Sequence, residues 1–490
     1  MDILIDNGVF GKNDIRGIVG EKINPELFEL IGKAYTEFIK KRKNLSINEL
    51  WVSVAYDARK HSPELANALI KGLLSGGINV IDLGLCPTPL AYFSEYQNLD
   101  LAGTLIVTAS HNPPAYNGLK MTYNKNTLLE EEILELKEIT KNLIEKNFLD
   151  NSAVGIYKKY NIIPDYINNF TEFFSKINKK IKIVVDSGNA TAGIVAPELY
   201  KKIDCEVIDI YSEPDGDFPN HHPDPSNEKN LEFLKKKVLE TNADFGIAFD
   251  GDSDRVGIVD NTGYSIPGDQ LLLIFALDVL KQSKQEEKLV FISEVKCSQV
   301  LFDSIEQNNG KAIMWKTGHA YIKSKMKEEK AVLAGEMSGH LFFKDRYYGF
   351  DDAIYAGCRF IEIIAKNKEN NPDFKVSDLI ESLPKAYTSR ELRIPCPDNL
   401  KFKVIDNLKF KLNELNKNSD LFKTKIEKII TIDGLRIVFN DGFALIRASN
   451  TEPTFTLRFE GKTLDNMDNY KNILLNILDE SLKELHELSE

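Results

Sequence analysis

Cysteine is scarce and tryptophan scarcer: 490 residues carry five of the first and two of the second. The cysteines (Cys86, Cys205, Cys297, Cys358, Cys396) are scattered, odd in number and never spaced as C-x-x-C. That pattern excludes a disulfide framework and a thiolate zinc site, and it points to thiols in a reducing, cytoplasmic setting. Positive charge is in deficit, at a formal net −12, so no broad basic face for nucleic acid is expected. The first residues lack a basic stretch followed by an apolar one, so no secretory leader is expected. Long apolar runs are missing too. The most apolar helical stretch, 271–280, is interrupted by Asp278 and is too short to span a bilayer, so no membrane partner is expected. The composition that remains, 42% apolar and 28% charged, is that of a globular protein. The length suits three or four domains at roughly 100–150 residues each. Any anionic ligand needs a local basic pocket within this acidic chain.

Hydrophobic periodicity divides the chain. Residues 25–43 place Phe28, Ile31, Tyr35, Phe38 and Ile39 on one helical face. Strand patterns at 51–56, 79–85 and 101–108 alternate with a helix opened by Ser62-Pro63-Glu64 and closed by Gly76-Gly77, and an acidic helix follows at 129–147. This βαβ series implies a largely parallel sheet covered by helices. The pattern restarts with strand 181–186, helix 191–203, strand 205–211, helix 230–241, strand 243–249 and a hairpin at 261–263. A third series comprises helices at 269–282, 298–308, 320–328 and 351–366, with strands at 288–295, 311–315 and 331–334. Polar residues 366–375, with Pro372, read as a linker. The tail is α+β, with helices 399–418 and 464–488 flanking strands 425–432, 435–440, 443–448 and 454–460. Asp433-Gly434 and Asp441-Gly442 are its hairpin turns.

Four loops at strand ends carry chemistry. Thr108-Ala109-Ser110-His111-Asn112-Pro113 follows an apolar strand, and a second loop offers Asn117-Gly118-Leu119-Lys120. A hydroxyl, an imidazole and an ammonium suit a phosphate carrier, a proton-transfer group and an anion clamp. The alternative is a helix corner capped by Ser110 and started by Pro113. Asp250-Gly251-Asp252-Ser253-Asp254-Arg255 places three carboxylates past a buried strand, a hard-oxygen set suited to Mg²⁺. An EF-hand fails here, because its sixth and twelfth positions hold Arg255 and Asn261. A haloacid-dehalogenase-type phosphatase with Asp250 as nucleophile stays open, as does a solvated acidic turn. Gly335-Glu336-Met337-Ser338-Gly339-His340, if extended, points Glu336 and Ser338 the same way, toward sugar hydroxyls; the alternative is a turn with a satisfied histidine. Arg447-Ala448-Ser449-Asn450-Thr451 offers a phosphate-sized anion site, or a plain Asx or Ser turn.

These four segments, in this order, resemble the signature loops of the α-D-phosphohexomutases, from about Phe10 to the C-terminus. Asp14-Ile15-Arg16-Gly17, Phe218-Pro219-Asn220-His221-His222-Pro223-Asp224-Pro225, Val295-Lys296-Cys297, Trp315-Lys316-Thr317-Gly318-His319 and Gly349-Phe350-Asp351-Asp352 are similar to the phosphomannomutase/phosphoglucomutase branch. The resemblance implies three consecutive α/β mixed-sheet domains and a C-terminal α+β domain around a central cleft, divided at 1–157, 158–263, 264–379 and 380–490. It implies that Ser110 is a phosphoserine, with Mg²⁺ held by Asp250, Asp252, Asp254 and an oxygen of that phosphate. Glu336 and Ser338 would hold sugar hydroxyls, and Arg447, Ser449, Asn450 and Thr451 the phosphate that is not transferred. Arg16, His111, Lys120, Arg255, Lys296, His319 and His340 would line the cleft, with general acid/base duty on Lys120 or His111. The implied reaction interconverts hexose 6- and 1-phosphates, of mannose and also glucose, through a 1,6-bisphosphate. Glucose or mannose 1,6-bisphosphate would be the activator, and the enzyme a monomer or weak dimer. Met337 favours this branch over the phosphoglucosamine mutases, which remain the alternative. The chain departs from the branch at Asn13, where Tyr is usual, at Glu452, where Thr is frequent, and in helix 399–418 with the segment after it, expected as a surface extension.

Overall fold

The strand Leu101–Val107 is buried at all seven positions, as a strand covered on both faces must be. In the computed structural model it lies inside the first of four sheets. The structure describes residues 6, 8–43, 47–97, 99–145, 154–174, 180–284, 287–418, 425–449 and 453–487. Leu101–Val107, Trp51–Tyr56 and Asn79–Leu85 run parallel, and Tyr157–Lys159 extends them on one side. Tyr116–Tyr123 is antiparallel to both Leu101–Val107 and Ile15–Ile18, so the sheet is mixed. Asn117–Lys120, read from sequence as a loop, is therefore strand. Its burial between two ladders outweighs the turn signal of Asn-Gly. Helices Pro25–Lys40 and Ser62–Ser75 pack backbone against backbone: a Cβ on Gly72 would lie 2.0 Å from the Glu29 carbonyl oxygen.

The second sheet orders Ser265–Ile266, Val256–Asp260, Phe245–Phe249, Ile181–Asp186 and Cys205–Ile210. The third orders Lys311–Trp315, Val290–Glu294, Leu333–Gly335 and Leu341–Phe343. Each has parallel central pairs and an antiparallel edge. One continuous apolar core joins the first three units. The fourth has its own core, beneath the antiparallel strands Thr454–Gly461, Gly442–Ala448, Leu435–Phe439 and Ile426–Ile430.

Three further sequence expectations change. The linker at 366–375 is half helix, because Ala353–Asn370 buries Ile361, Ile363, Ile364 and Ala365 and its polar last turn continues that helix. It stops at Asn371, before Pro372. The helix expected at 191–203 is a 3₁₀ turn, Thr191–Ile194, followed by Ala196–Lys202. Helix Asp398–Asn418 is no surface extension: Val404, Leu408 and Leu412 are fully buried in the fourth core. Residues 419–424, after it, lie outside the described residues.

Candidate active site

Strand Leu101–Val107 delivers Ser110 into a corner without a helix, so the capping alternative fails. Ser110 adopts φ +49°, a left-handed conformation for a non-glycine residue, and is almost fully buried. The corner is held from below. Arg59, itself buried, donates from Nη2 to the carbonyls of Ser110 (2.7 Å) and Asn112 (2.6 Å), and from Nη1 to those of Pro113 (2.7 Å) and Tyr116 (3.1 Å). Asp57 in turn accepts from Arg59 Nε (3.0 Å), Thr108 Oγ1 (2.8 Å) and Ser62 Oγ (2.5 Å).

Strand Phe245–Phe249 delivers the three aspartates, all fully buried. Ser110 Oγ donates to Asp250 Oδ2 at 2.6 Å, and His111 Nδ1 lies 3.1 Å from the same Oγ. Ser110 has one proton; with it on Asp250, Oγ is left to accept from His111 Nδ1. Asp250 Oδ1 accepts the backbone N–H groups of Asp254 and Arg255, each at 3.0 Å. Lys120, reaching in from strand Tyr116–Tyr123, donates to Asp252 Oδ2 at 2.6 Å and also to Asp254. Thr88 Oγ1 adds a bond to Asp252 at 2.7 Å.

Burial, then the negative charge of Asp254 and Asp252, pushes Asp250 well above the usual carboxylate range. Burial raises Asp252 too, but the Lys120 ammonium outweighs it and holds that carboxylate below its ordinary value. Burial lowers Lys120, and the two aspartates more than reverse this. Burial, with the positive Arg255 and Arg16 nearby, pushes His111 well down, so its imidazole is neutral.

The carboxylates offer oxygens within 4.8 Å of one another, and Asp252 Oδ1 and Asp254 Oδ1 are buried without a hydrogen-bond partner. Three hard-oxygen donors with orphaned lone pairs beside a phosphorylatable hydroxyl fit Mg²⁺.

The third loop is a turn, not an extended segment: Gly339 N donates to Glu336 O at 3.1 Å. Glu336 and Ser338 are therefore not related by strand alternation. Glu336 is buried, accepts from Gly318 N at 2.6 Å, and is raised by burial and by Glu294. His340 Nε2 accepts from Arg255 Nε at 3.0 Å, and His319 stacks on His340 at 5.9 Å between ring centres. Arg16 reaches the serine loop through Asn112 Oδ1 at 2.6 Å. Lys296 lies 3.6 Å from Glu294 and 3.4 Å from Glu391. Arg447 Nε donates to Asp433 at 3.2 Å, and Asp433 also accepts from Thr317 N at 3.0 Å. Ser449 is buried at the end of its strand; Asn450 and Thr451, with Glu452, lie outside the described residues.

Ser110, His111, Lys120, Asp250, Asp252, Asp254, Arg255 and His340 thus form one contact network. Arg16 and His319 lie at its edge. Lys296, Glu336 and Arg447 lie in a second network of alternating charge. Sequence reading assigned no role to Arg59, Thr88, Lys323 or Asp351, whose contacts reach across the chain; Asp351 stands in the Gly349-Phe350-Asp351-Asp352 stretch noted above, and Arg59 just after strand Trp51–Tyr56.

Fold and site together define a sugar-phosphate mutase architecture: four units in sequence, with the serine loop and the three aspartates meeting in one buried network. Sequence comparison agrees unit by unit. The family description "Phosphoglucomutase/phosphomannomutase, alpha/beta/alpha domain I" matches residues 7–148, domain II matches 164–263, domain III 267–387 and the C-terminal domain 391–477. The chain belongs to the phosphoglucomutase/phosphomannomutase family and is a phosphohexomutase. It is 41% identical to a phosphomannomutase/phosphoglucomutase of Pseudomonas putida over 469 residues, covering 96% of this chain and 95% of that one. It is 39% identical to a phosphoglucomutase of Neisseria gonorrhoeae, covering 96% of each. A solved family member from Burkholderia thailandensis superposes with a TM-score of 0.86 at 35% identity, over 98% of both chains. Among the described residues no helix is long and apolar enough to cross a membrane.

Proposed function

We propose that this enzyme moves a phosphoryl group between the 1- and 6-hydroxyls of mannose, and of glucose, with Ser110 as the carrier. The observation that carries the reading is the Ser110 hydroxyl, 2.6 Å from Asp250 in a buried nest of three aspartates and Lys120. Asp250, Asp252 and Asp254, with an oxygen of the Ser110 phosphate, would hold Mg²⁺. When bound, that ion supplies positive charge that offsets charge on the transferring phosphoryl oxygens.

Phosphoserine 110 gives its phosphoryl group to the free hydroxyl of a hexose 1- or 6-phosphate. The Oγ–P bond of Ser110 breaks and the sugar O–P bond forms; the sugar hydroxyl proton passes to a base, and Ser110 Oγ takes up a proton, with His111 Nδ1 3.1 Å away. Of the two groups expected to move that proton, the neutral His111 is suited to accept it. Lys120, held charged by its aspartates, is suited to clamp the phosphoryl group. Arg255 and Arg16 add charge beside the carrier. The 1,6-bisphosphate turns end over end, and Ser110 takes back the other phosphate. Glu336 and Ser338 would read sugar hydroxyls, with Lys296, His319 and His340 along the cleft. Arg447, Ser449, Asn450 and Thr451 would hold the idle phosphate. Glucose or mannose 1,6-bisphosphate would re-phosphorylate Ser110. One polypeptide supplies all four loops, which suits a monomer or a weak dimer. Cys86, Cys205, Cys297 and Cys358 are buried thiols, as suits a cytoplasmic protein.

The test is turnover of mannose 1-phosphate, glucose 1-phosphate and glucosamine 1-phosphate side by side, with Mg²⁺ and glucose 1,6-bisphosphate. Mannose and glucose phosphates are expected to react; activity on the amino sugar alone overturns the choice. Ser110→Ala is expected to lose turnover together with a mass excess of about 80 Da. Retained turnover with accumulating inorganic phosphate would instead assign Asp250 as a phosphatase nucleophile.

A further inference from the structure

Four buried polar atoms converge beside the aspartate nest without a hydrogen-bond partner: Asp254 Oδ1, His319 Nδ1, His340 Nδ1 and Asp351 Oδ2. His340 Nδ1 lies 3.3 Å from Asp351 Oδ2 and 3.6 Å from Asp254 Oδ1, and His319 Nδ1 lies 3.6 Å from Asp351 Oδ2. The other oxygen of Asp351 takes Lys323 Nζ at 2.9 Å. Asp351 is fully buried and bridges to Phe342 on the third sheet, so its carboxylate cannot turn away to solvent.

The far side of His340 decides what this cluster does. Its Nε2 receives Arg255 Nε at 3.0 Å. A guanidinium in a protein stays protonated, so Nε–H can only donate. Nε2 must then carry the lone pair, and a neutral imidazole must carry its proton on Nδ1. That Nδ1–H faces the two carboxylates. A metal ion held by Asp254, His340 and Asp351, whose donor atoms lie within 4.8 Å of one another, would need the Nδ1 lone pair. The ring proton would move to Nε2 and meet Arg255 Nε–H donor to donor. The backbone holds this pair together as well: Arg255 bridges to His340, and Val256 N donates to Gly339 O at 3.1 Å.

We propose that Asp351 is a positioning residue that acts through His340 on Arg255. Its carboxylate fixes the Nδ1–H tautomer, Nε2 tethers Arg255 at Nε, and the four terminal N–H donors of Arg255 stay free for phosphoryl oxygens. The proposal rests on the reading of Arg255 as a clamp beside Ser110.

The test uses full-length enzyme labelled with ¹⁵N-histidine; with seven histidines in the chain, two-bond ¹H–¹⁵N spectra resolve individual rings. In the wild type, His340 is expected as the Nδ1–H tautomer. In Asp351→Asn, the Nε2–H form is expected to appear, with kcat reduced about 10–100-fold and KM little changed. A wild-type Nε2–H tautomer overturns the proposal, as does a tautomer that Asp351→Asn leaves unmoved. Elemental analysis showing one equivalent of zinc or manganese in the wild type, lost from Asp351→Asn, would make Asp351 a metal ligand instead. If Asp351→Asn does not fold, Asp351→Ser takes its place, with the same supporting and overturning outcomes. The spectra need no substrate, so they separate this proposal from the phosphoryl-clamp reading: failure of the kcat arm alone would fault Arg255's role, not the tautomer.

Discussion

Gly251 is where the carrier loop and the aspartate loop touch. A Cβ there would lie 2.3 Å from the Ser110 carbonyl oxygen, and that oxygen is itself pinned by Arg59. Neither backbone can yield alone, so Gly251→Ala must push the serine and the carboxylates apart. A displacement on the order of 1 Å is expected to lower kcat by roughly 10²-fold, with a weaker Mg²⁺ dependence. Steady-state kinetics across Mg²⁺ concentration checks this, and an unchanged kcat would show that the two loops need not meet. The same contrast explains what could be read at this scale. Ser110, Asp250, Asp252 and Asp254 announce themselves, because hydroxyls and paired carboxylates just past apolar strands are costly without a ligand. Arg59 does not, because its value lies in carbonyls more than fifty residues away, and no local pattern encodes them.

Helix Ala353–Asn370 is capped by Asp352, whose Oδ1 accepts from Tyr355 N at 2.8 Å, while Oδ2 accepts from Tyr347 and Tyr166 hydroxyls at 2.5 and 2.8 Å. Burial outweighs these bonds and raises its carboxyl to about 6. The folded form therefore keeps a proton that the unfolded chain has released. The stability this group contributes is full below pH of about 4 and is lost as pH rises through about 6, a swing on the order of 3 kcal/mol. Asp352→Asn keeps the cap oxygen and cannot titrate. Between about pH 4 and about pH 7 the wild-type melting temperature is expected to fall relative to the variant's. Parallel curves would overturn the assignment. Amphipathic helices were legible because burial of one face imposes a period on the sequence, and strands such as Trp51–Tyr56 and Leu101–Val107 because burial on both faces imposes a short unbroken apolar run. The strand through Asn117–Lys120 was not, because its strand state is set by partners on both edges and its own residues favour a turn.

At the scale of the whole molecule, the order of the loops was legible and their meeting was not, except through the family resemblance. Nothing in the spacing of Ser110, Asp250, His340 and Arg447 says that their units meet; that rests on contacts such as Ser110 with Asp250, Arg255 with His340 and Thr317 with Asp433. The fourth unit is attached in two different ways. Arg436, fully buried, donates to the carbonyls of Val295 and Cys297 at 2.5 and 2.7 Å, and Arg458 donates to Asp269 at 3.0 Å. Arg458 also donates to the carbonyl of Lys296, and together these contacts fix the fourth unit to the backbone of the third and act as an anchor. Asp433, at the turn before strand Leu435–Phe439, joins Thr317 N of the third unit to Arg447 of the fourth and acts as a clasp at the cleft. A mutase must let its bisphosphate turn over, so the clasp has to open while the anchor holds. Asp433→Ala removes the acceptor for both donors. Loss of a charge-assisted hydrogen bond worth about 1.5–3 kcal/mol is expected to raise KM for hexose phosphates roughly tenfold or more, through misplacement of Arg447. The melting temperature should change little, because the anchor is intact. Small-angle scattering of the unliganded variant should give a larger radius of gyration than the wild type. An unchanged KM together with unchanged scattering would show that Asp433 does not hold the fourth unit against the cleft.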